Sequence, residues 1–227
     1  MGIAQEISIS PVISERIPGL ILGVLEADQI SVTSNPSEIE PYFADLFHFI
    51  KNKFTTKRPS EDEVVSAVRR MYRRIGWEPT RYRPSSEAMI RRILKDRGLY
   101  HINNAVDLGN IASARFHIPM GLYDRNKINP PVLCDVGHPG ESYQGLSIDL
   151  IHAEGKMILR DQVGVFGNPT ADSKRTCIRT TSKNIVAIFF GPPEVKKNHI
   201  QETLDFLEDL YRSFFRQMHS KISIVSC

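Results

Sequence analysis

The 227-residue sequence predicts an α+β fold, and three observations predict it. Helix-period and strand-period hydrophobic patterns both occur. They do not alternate regularly as β-α-β units. Short strand-like runs gather between Met120 and Ile188, with helical runs on both sides.

The elements follow in order. Glu6 to Ile13, with Ile7 and Ile9 alternating, and Gly19 to Leu25, aliphatic and β-branched, read as strands. Ser37 and Glu40 have the spacing of a capping box, and Ile39, Phe43, Leu46, Phe47, Ile50 and Phe54 then recur at helical spacing. Ser60 and Glu63 repeat that start signal before a helix with Val64, Val68, Met71, Tyr72 and Ile75 inward and Gly76 as its stop. Pro84-Ser85-Ser86 opens a third helix that ends at Gly98, and a fourth runs from Asn104 to about Phe116. Leu146 to Ile151, Met157 to Leu159, Thr176 to Arg179 and Ile185 to Phe190 are alternating runs punctuated by Gly, Pro, Asn and Asp, the pattern of antiparallel strands joined by polar loops. A last helix spans about Val195 to Met218, and Ile222 to Val225 reads as a closing strand. With no internal repeat and no clear linker, one compact domain over residues 1–227 is expected.

Composition excludes several classes. Cys134, Cys177 and Cys227 are odd in number and widely spaced, so neither a disulfide framework nor a zinc site is expected, and the thiols read as those of a reduced cytoplasmic protein. The N-terminal residues lack the basic and apolar regions of a signal peptide. The longest apolar runs fall well short of the roughly 20 residues that span a bilayer, so no membrane association is expected. The seven histidines show no metal-ligand or nucleophile spacing, and no metal or other cofactor is implied.

The net charge of +3 is slight, but its distribution is uneven. Arginines crowd the segment from Lys57 to Arg97. Arg69 and Arg73, like Arg70 and Arg74, stand one helical turn apart and define a basic helix face; Arg81 and Arg83 follow. Arginine suits bidentate phosphate contacts, and the interleaved Tyr72, Trp77 and Tyr82 suit stacking on unpaired bases. The alternative is that the aromatics belong to the core and the arginines form a solvated face.

Polar residues concentrate downstream. Asn103, Asn104 and Asp107 stand at the start of the fourth helix, where one asparagine suffices as an N-cap. Pro119 to Asp124 follows, with Gly121 and Tyr123. Glu141 lies in the turn Gly140 to Gly145. Phe166 to Ser173 is a dense polar loop carrying Gly167, Asn168, Thr170, Asp172 and Ser173, with Thr176 just beyond. A plain turn needs only Gly, Asn and Pro.

The ordered set R-x-R-P, S-x-x-M, I-N-N-x-V-D, P-x-x-x-Y-D, G-E-x-Y-x-G-L and F-G-N-P-T-A-D-S, over about Arg81 to Phe190, resembles the B3/B4 editing domain of the phenylalanyl-tRNA synthetase β subunit. It is more similar still to separate proteins that consist of little else. The resemblance implies a three-layer α+β fold with a central antiparallel or mixed sheet sandwich and flanking helices. It also implies an RNA-linked substrate, since the synthetase domain hydrolyses tyrosine wrongly esterified to phenylalanine tRNA. Two positions depart from the family pattern. Gly121 stands where P-L-H-A-F-D has histidine, and Ile188 falls near a glutamate used for the tyrosine hydroxyl, so tyrosine specificity does not carry over.

Two functional readings follow. One is a hydrolase that clears a mischarged aminoacyl-tRNA in trans; the other is a non-catalytic module for tRNA, an amino acid or a nucleotide. An aminoacyl ester is already activated, so placing a water and stabilising an oxyanion suffice. The candidate catalytic residues are Asn104, Asp107, Glu141, Asn168, Thr170 and Asp172, with Asp172 or Glu141 to hold an α-amino group or orient water and the N–H groups around Gly167 as an oxyanion site. Asn103, Gly121, Tyr123, Gly167, Ser173 and Thr176 are the candidate substrate-binding residues. Arg69, Arg70, Arg73, Arg74, Arg81 and Arg83 are the candidate RNA contacts.

Overall fold

A computed structural model describes residues 2–34, 37–146 and 150–227. Strand β1 is shorter than its sequence pattern, Ile7–Ile9, because Ser10 and Pro11 start a helix. The Ser10 hydroxyl accepts from Ile13 N at 3.2 Å and caps α1, Pro11–Arg16, with proline at the first helical position. The expected strand over Glu6 to Ile13 is therefore half helix. After β2, Ile21–Asp28, a single turn at Ser37–Ile39 precedes α2, Glu40–Lys53, which buries Phe43, Leu46 and Ile50. No side chain caps α2, so the Ser37 box does not form.

The second expected box is also displaced. Ser60 lies in the turn Pro59–Glu61, and Asp62 caps α3, Glu63–Arg74, by accepting from Val64 N and Val65 N at 3.1 and 3.2 Å. Gly76 then takes a φ of 77°, the left-handed conformation that stops a helix. Helix α4 covers Ser85–Ile93 and α5 covers Asn104–Phe116.

One sheet contains β2, β3 (Met120–Asp124), β9 (Ile185–Gly191) and β10 (His219–Ser226), in the order β10-β2-β9-β3, all antiparallel. A second has the order β1-β4-β7-β8, with β4 at Val132–Val136, β7 at Met157–Arg160 and β8 at Val165–Gly167. Its β1–β4 pair is parallel and the others antiparallel, so this sheet is mixed. A small hairpin pairs β5, Ser142–Tyr143, with β6, Ile151–His152. The strand expected from Leu146 to Ile151 is thus described only at its end, since residues 147–149 lie outside the described part. Thr176 to Arg179 is not a strand: the Thr176 hydroxyl is turned inward to Ser173 Oγ at 2.9 Å, which holds a loop there.

Every residue of β9 is buried, as in a strand covered on both faces. Helix α6, Lys197–Phe214, lies against β2. Gly23 and Gly191 make this approach possible, because a Cβ at either would come within 2.6–2.7 Å of Ile200. One hydrophobic core joins helical residues such as Leu108, Leu204 and Leu207 to both four-stranded sheets, through Leu22, Ile188, Cys134 and Leu159. Among the described residues, no helix is long and apolar enough to cross a membrane.

Candidate functional site

The polar residues at the start of α5 are engaged in holding the chain together. Asn103 has extended backbone and caps the helix, its Oδ1 accepting from Val106 N at 2.9 Å. Asn104 ties α5 to the segment after β2: its Oδ1 accepts from Thr33 N and Ala105 N, and its Nδ2 donates to Ser31 O, all within 3.0 Å. Asp107 reaches back to Ile102 N at 3.0 Å, and burial pushes its carboxyl up to about 6. These three side chains form an interlocked cap, away from the loop that follows β8.

That loop is ordered around Asn168. Its Oδ1 accepts from Thr170 N and Ala171 N at 2.8 and 2.9 Å, and its Nδ2 donates to Tyr143 Oη at 2.7 Å. Tyr143 donates in turn to Ala171 O. Ser173 N bonds Phe166 O. The loop's own N–H groups at Thr170, Ala171 and Ser173 are therefore spent internally. Thr170 is exposed, and its hydroxyl lies 3.1 Å from the buried Tyr72 Oη.

Behind the loop lies a sealed polar pair. Tyr123 is fully buried, its ring at 4.9 Å and nearly perpendicular to Phe166, and its hydroxyl has no hydrogen-bond partner among the described residues. Asp172 accepts from Leu122 N through Oδ2 at 3.3 Å, while its Oδ1 is enclosed and also unpartnered. Burial pushes the Asp172 carboxyl up to about 7 and raises the Tyr123 phenol well above its ordinary value. The same hydroxyl explains Gly121: a Cβ there would stand 1.9 Å from it, and one at Gly167 2.3 Å. Gly121 and Ile188, the two departures from the family pattern, are register partners across β3 and β9. The phenol of Tyr123 thus takes space that a side chain at 121 would need.

Glu141 is likewise committed. Both its oxygens accept from the Arg160 guanidinium at 3.0 Å, and Oε2 also accepts from His138 N.

On the other side of the Asn168 loop opens a cleft of about 640 Å³. Trp77 and Tyr82 form one wall, nearly parallel at a centroid distance of 5.9 Å, with Tyr72 packed behind Trp77. Asn168, Thr170 and Ala171 form another, and Leu150 to His152 with Glu154 to Lys156 a third. Lys156 Nζ lies 5.0 Å from the Tyr82 ring and 5.8 Å from that of Trp77. Burial first, and then the charge of Arg81, hold its ammonium below the usual lysine range. His152, Glu154 and Lys156 carry no sequence signal as site residues; the β6–β7 connection alone brings them to the cleft. Of the candidates read from sequence, Asn168 and Thr170 line it. Gly121, Tyr123, Gly167 and Asp172 cluster behind the loop, and Asn103, Asn104, Asp107 and Glu141 stand elsewhere. Among the described residues no cluster of His, Cys, Asp or Glu offers a metal site.

The arginine face is largely neutralised. Arg69 and Arg91 clamp the buried Glu87 at 2.9 and 2.8 Å. Arg70 and Arg74 share Glu194 at 3.3 and 2.7 Å, and Arg73 lies 4.0 Å from Glu78. Arg81 and Arg83 are exposed and enter no ion pair among the described residues; Arg81 packs 5.3 Å from the Tyr82 ring.

Three comparisons with known proteins place the chain among its relatives. An uncharacterized protein of Bacillus subtilis (strain 168), YhzB, is 19% identical over 216 residues, covering 95% of this chain and 98% of that protein. A crystal structure of an N-terminal fragment of the phenylalanyl-tRNA synthetase β-subunit from Pyrococcus horikoshii aligns with a TM-score of 0.47 and 13% identity, over 96% of this chain and 50% of that one. The present chain thus spans about half the length of that fragment. The sequence pattern of the B3/4 domain matches residues 67–223, from within α3 to within β10, and takes in every wall of the cleft. The chain belongs to the B3/4 domain family.

Proposed function

We propose that the cleft receives the aminoacylated 3′ end of a tRNA and hydrolyses the ester in trans. The observation that carries this reading is the cleft itself: about 640 Å³, with Trp77 and Tyr82 on one side and the Asn168–Ala171 loop on the other. Stacked rings suit the terminal base or an apolar amino-acid side chain, and single-stranded RNA ends are bound in this way. The resemblance of the same segment to a tRNA-editing domain supports the ester as substrate. Water adds to the ester carbonyl carbon, the bond to the ribose oxygen breaks, and that oxygen takes the proton, releasing amino acid and tRNA. The hydroxyl of Thr170, a residue of the cleft wall, is braced by Tyr72 and is the group suited to orient the water. His152 supplies an imidazole in the same cleft to carry the proton.

A second reading, a binding module without turnover, is favoured by one observation. The N–H groups of Thr170 and Ala171 are already bonded to Asn168 and are not available to an oxyanion. A deacylation screen over a panel of mischarged tRNAs separates the two. The hydrolase reading expects at least one pair to be cleared well above the buffer rate, with Thr170→Ala and His152→Ala each slowing it at least about tenfold. Clearance of none, with uncharged tRNA still bound, leaves the binding module.

A further inference from the structure

The arginines on α3 are paired with carboxylates, whereas Arg81 and Lys156 are among the cations that enter no ion pair among the described residues. These two come from distant parts of the chain, one after α3 and one before β7, yet both pack on the Tyr82 ring, with Arg81 Cζ at 5.3 Å and Lys156 Nζ at 5.0 Å from its centroid. Two like charges converging on one ring repel each other, and Lys156 is also partly withdrawn from water at the cleft wall. The π face of Tyr82 holds both cations without neutralising them, and no carboxylate stands within ion-pair distance of either among the described residues, so their charge remains open to an anion. Glu154 shares the cleft but is not within ion-pair distance of either; its Oε2 accepts from Gly140 N at 3.0 Å. Lys156 therefore lines the cleft beside the aromatic wall, Arg81 lies next to it on the Tyr82 ring, and Glu154 is a separate carboxylate.

We propose that Arg81 and Lys156 form a phosphate subsite for a nucleotide whose base occupies the aromatic wall of the cleft. The assignment rests on the reading above for the identity of the ligand as an RNA end. It names the 5′-phosphate of the terminal nucleotide as the group these cations take. Glu154 stands in the same cleft as a counter-charge for the α-ammonium of an aminoacyl group. Arginine meets a phosphate through paired N–H donors, while lysine acts as a point charge. Binding neutralises both cations and removes their mutual repulsion.

The test uses the whole protein and the intrinsic fluorescence of Trp77, the sole tryptophan, whose ring lies 5.8 Å from Lys156 Nζ. Titration with 5′-AMP and with adenosine at low salt is expected to show AMP binding about tenfold more tightly, the difference shrinking as salt rises. Lys156→Gln and Arg81→Gln should each remove most of that preference while leaving adenosine affinity nearly unchanged. Arg74→Gln, which loses a residue paired with Glu194, should leave the preference intact. Inorganic phosphate should compete far more weakly than AMP. Equal affinity for AMP and adenosine overturns the subsite, as does loss of both ligands in Lys156→Gln with an unchanged melting temperature. Competition by inorganic phosphate as strong as by AMP overturns the nucleotide assignment, and failure of both nucleotides to bind overturns the proposal entirely. These outcomes are independent of turnover. A protein that prefers AMP through Lys156 yet deacylates nothing keeps the subsite and loses the hydrolase, and the converse result does the reverse.

Discussion

Replacing Asp172 with asparagine tests whether a buried carboxyl behind the loop is held near neutral. The ordinary aspartate value is 3.8, and burial pushes Asp172 up to about 7. The sign follows from proton binding. A carboxyl with a raised folded value binds more protons when folded, so its contribution is most favourable below pH 4 and is lost as pH rises towards 7. A separation of roughly 3 units corresponds to about 4 kcal/mol, reached above pH 7. The residue is partly exposed as a whole, but Oδ1 itself is sealed and unpartnered, so solvent screens the charge little. Asparagine keeps the shape and an acceptor for Leu122 N while removing the charge. Urea denaturation of both proteins from pH 4 to pH 8 gives a difference curve in which other titrating groups cancel. Asp172→Asn should gain steadily on the wild type between pH 4 and pH 7 and lead by up to about 4 kcal/mol at pH 8. Parallel curves across that range would refute the argument, because they would mean that the folded carboxyl titrates as it does in the unfolded chain. If the same variant also loses deacylation, Asp172 is a residue held at a cost in stability for the sake of activity.

Three further outcomes are expected. Gly121→Ala should cost about 3 kcal/mol or more by thermal or urea unfolding, since its Cβ would stand 1.9 Å from the Tyr123 hydroxyl. Tyr123→Phe should not rescue it, because ring carbons remain at 2.4 and 2.8 Å, whereas in a Tyr123→Ala background the glycine change should become nearly neutral, a coupling read from a double-mutant cycle. Asn104→Ala should cost roughly 2 kcal/mol by freeing Thr33 N and Ser31 O, yet leave the deacylation rate unchanged well below the melting temperature; a large loss of rate would return Asn104 to the site. His117 has left-handed backbone (φ 63°) and is buried, its Nδ1 3.0 Å from Asp62 and its Nε2 without a partner among the described residues, and burial lowers its imidazole below the ordinary 6.5. The folded state thus resists protonation. Stability relative to His117→Asn, which keeps a residue tolerant of the left-handed backbone, should fall as pH drops below 6.5, with a slope approaching about 1.4 kcal/mol per pH unit. A flat difference curve from pH 7.5 to pH 5 would contradict this.

The long helices were legible from periodicity alone. α2, α3, α4 and α6 each carry an apolar stripe strong enough to declare the element. The ends were less so, because several residues compete for one cap: Asp62 wins over Ser60 by reaching two N–H groups, and Ser10 with Pro11 converts half a strand pattern into a helix. Thr176 to Arg179 alternates like a strand, but the Ser173 hydroxyl claims Thr176 for a loop.

The candidate site divides in the same way. By itself the sequence determined that the chain is α+β, that its polar residues gather between Asn103 and Thr176, and that these motifs resemble the B3/B4 domain, because local spacing and residue type carry that information. Only tertiary structure decided which of those residues face a common space. I-N-N-x-V-D, the most specific motif, is occupied with capping α5 and anchoring residues 31 to 33. The cleft is instead walled by Trp77 and Tyr82, from the connection between α3 and α4, and by Lys156, from the distant connection between β6 and β7, which no sequence pattern links to those two aromatics. Charge behaves likewise. An arginine run predicts a basic face, but whether it stays basic depends on where Glu87 and Glu194 fold, and a distant carboxylate leaves no periodicity beside the residue it neutralises.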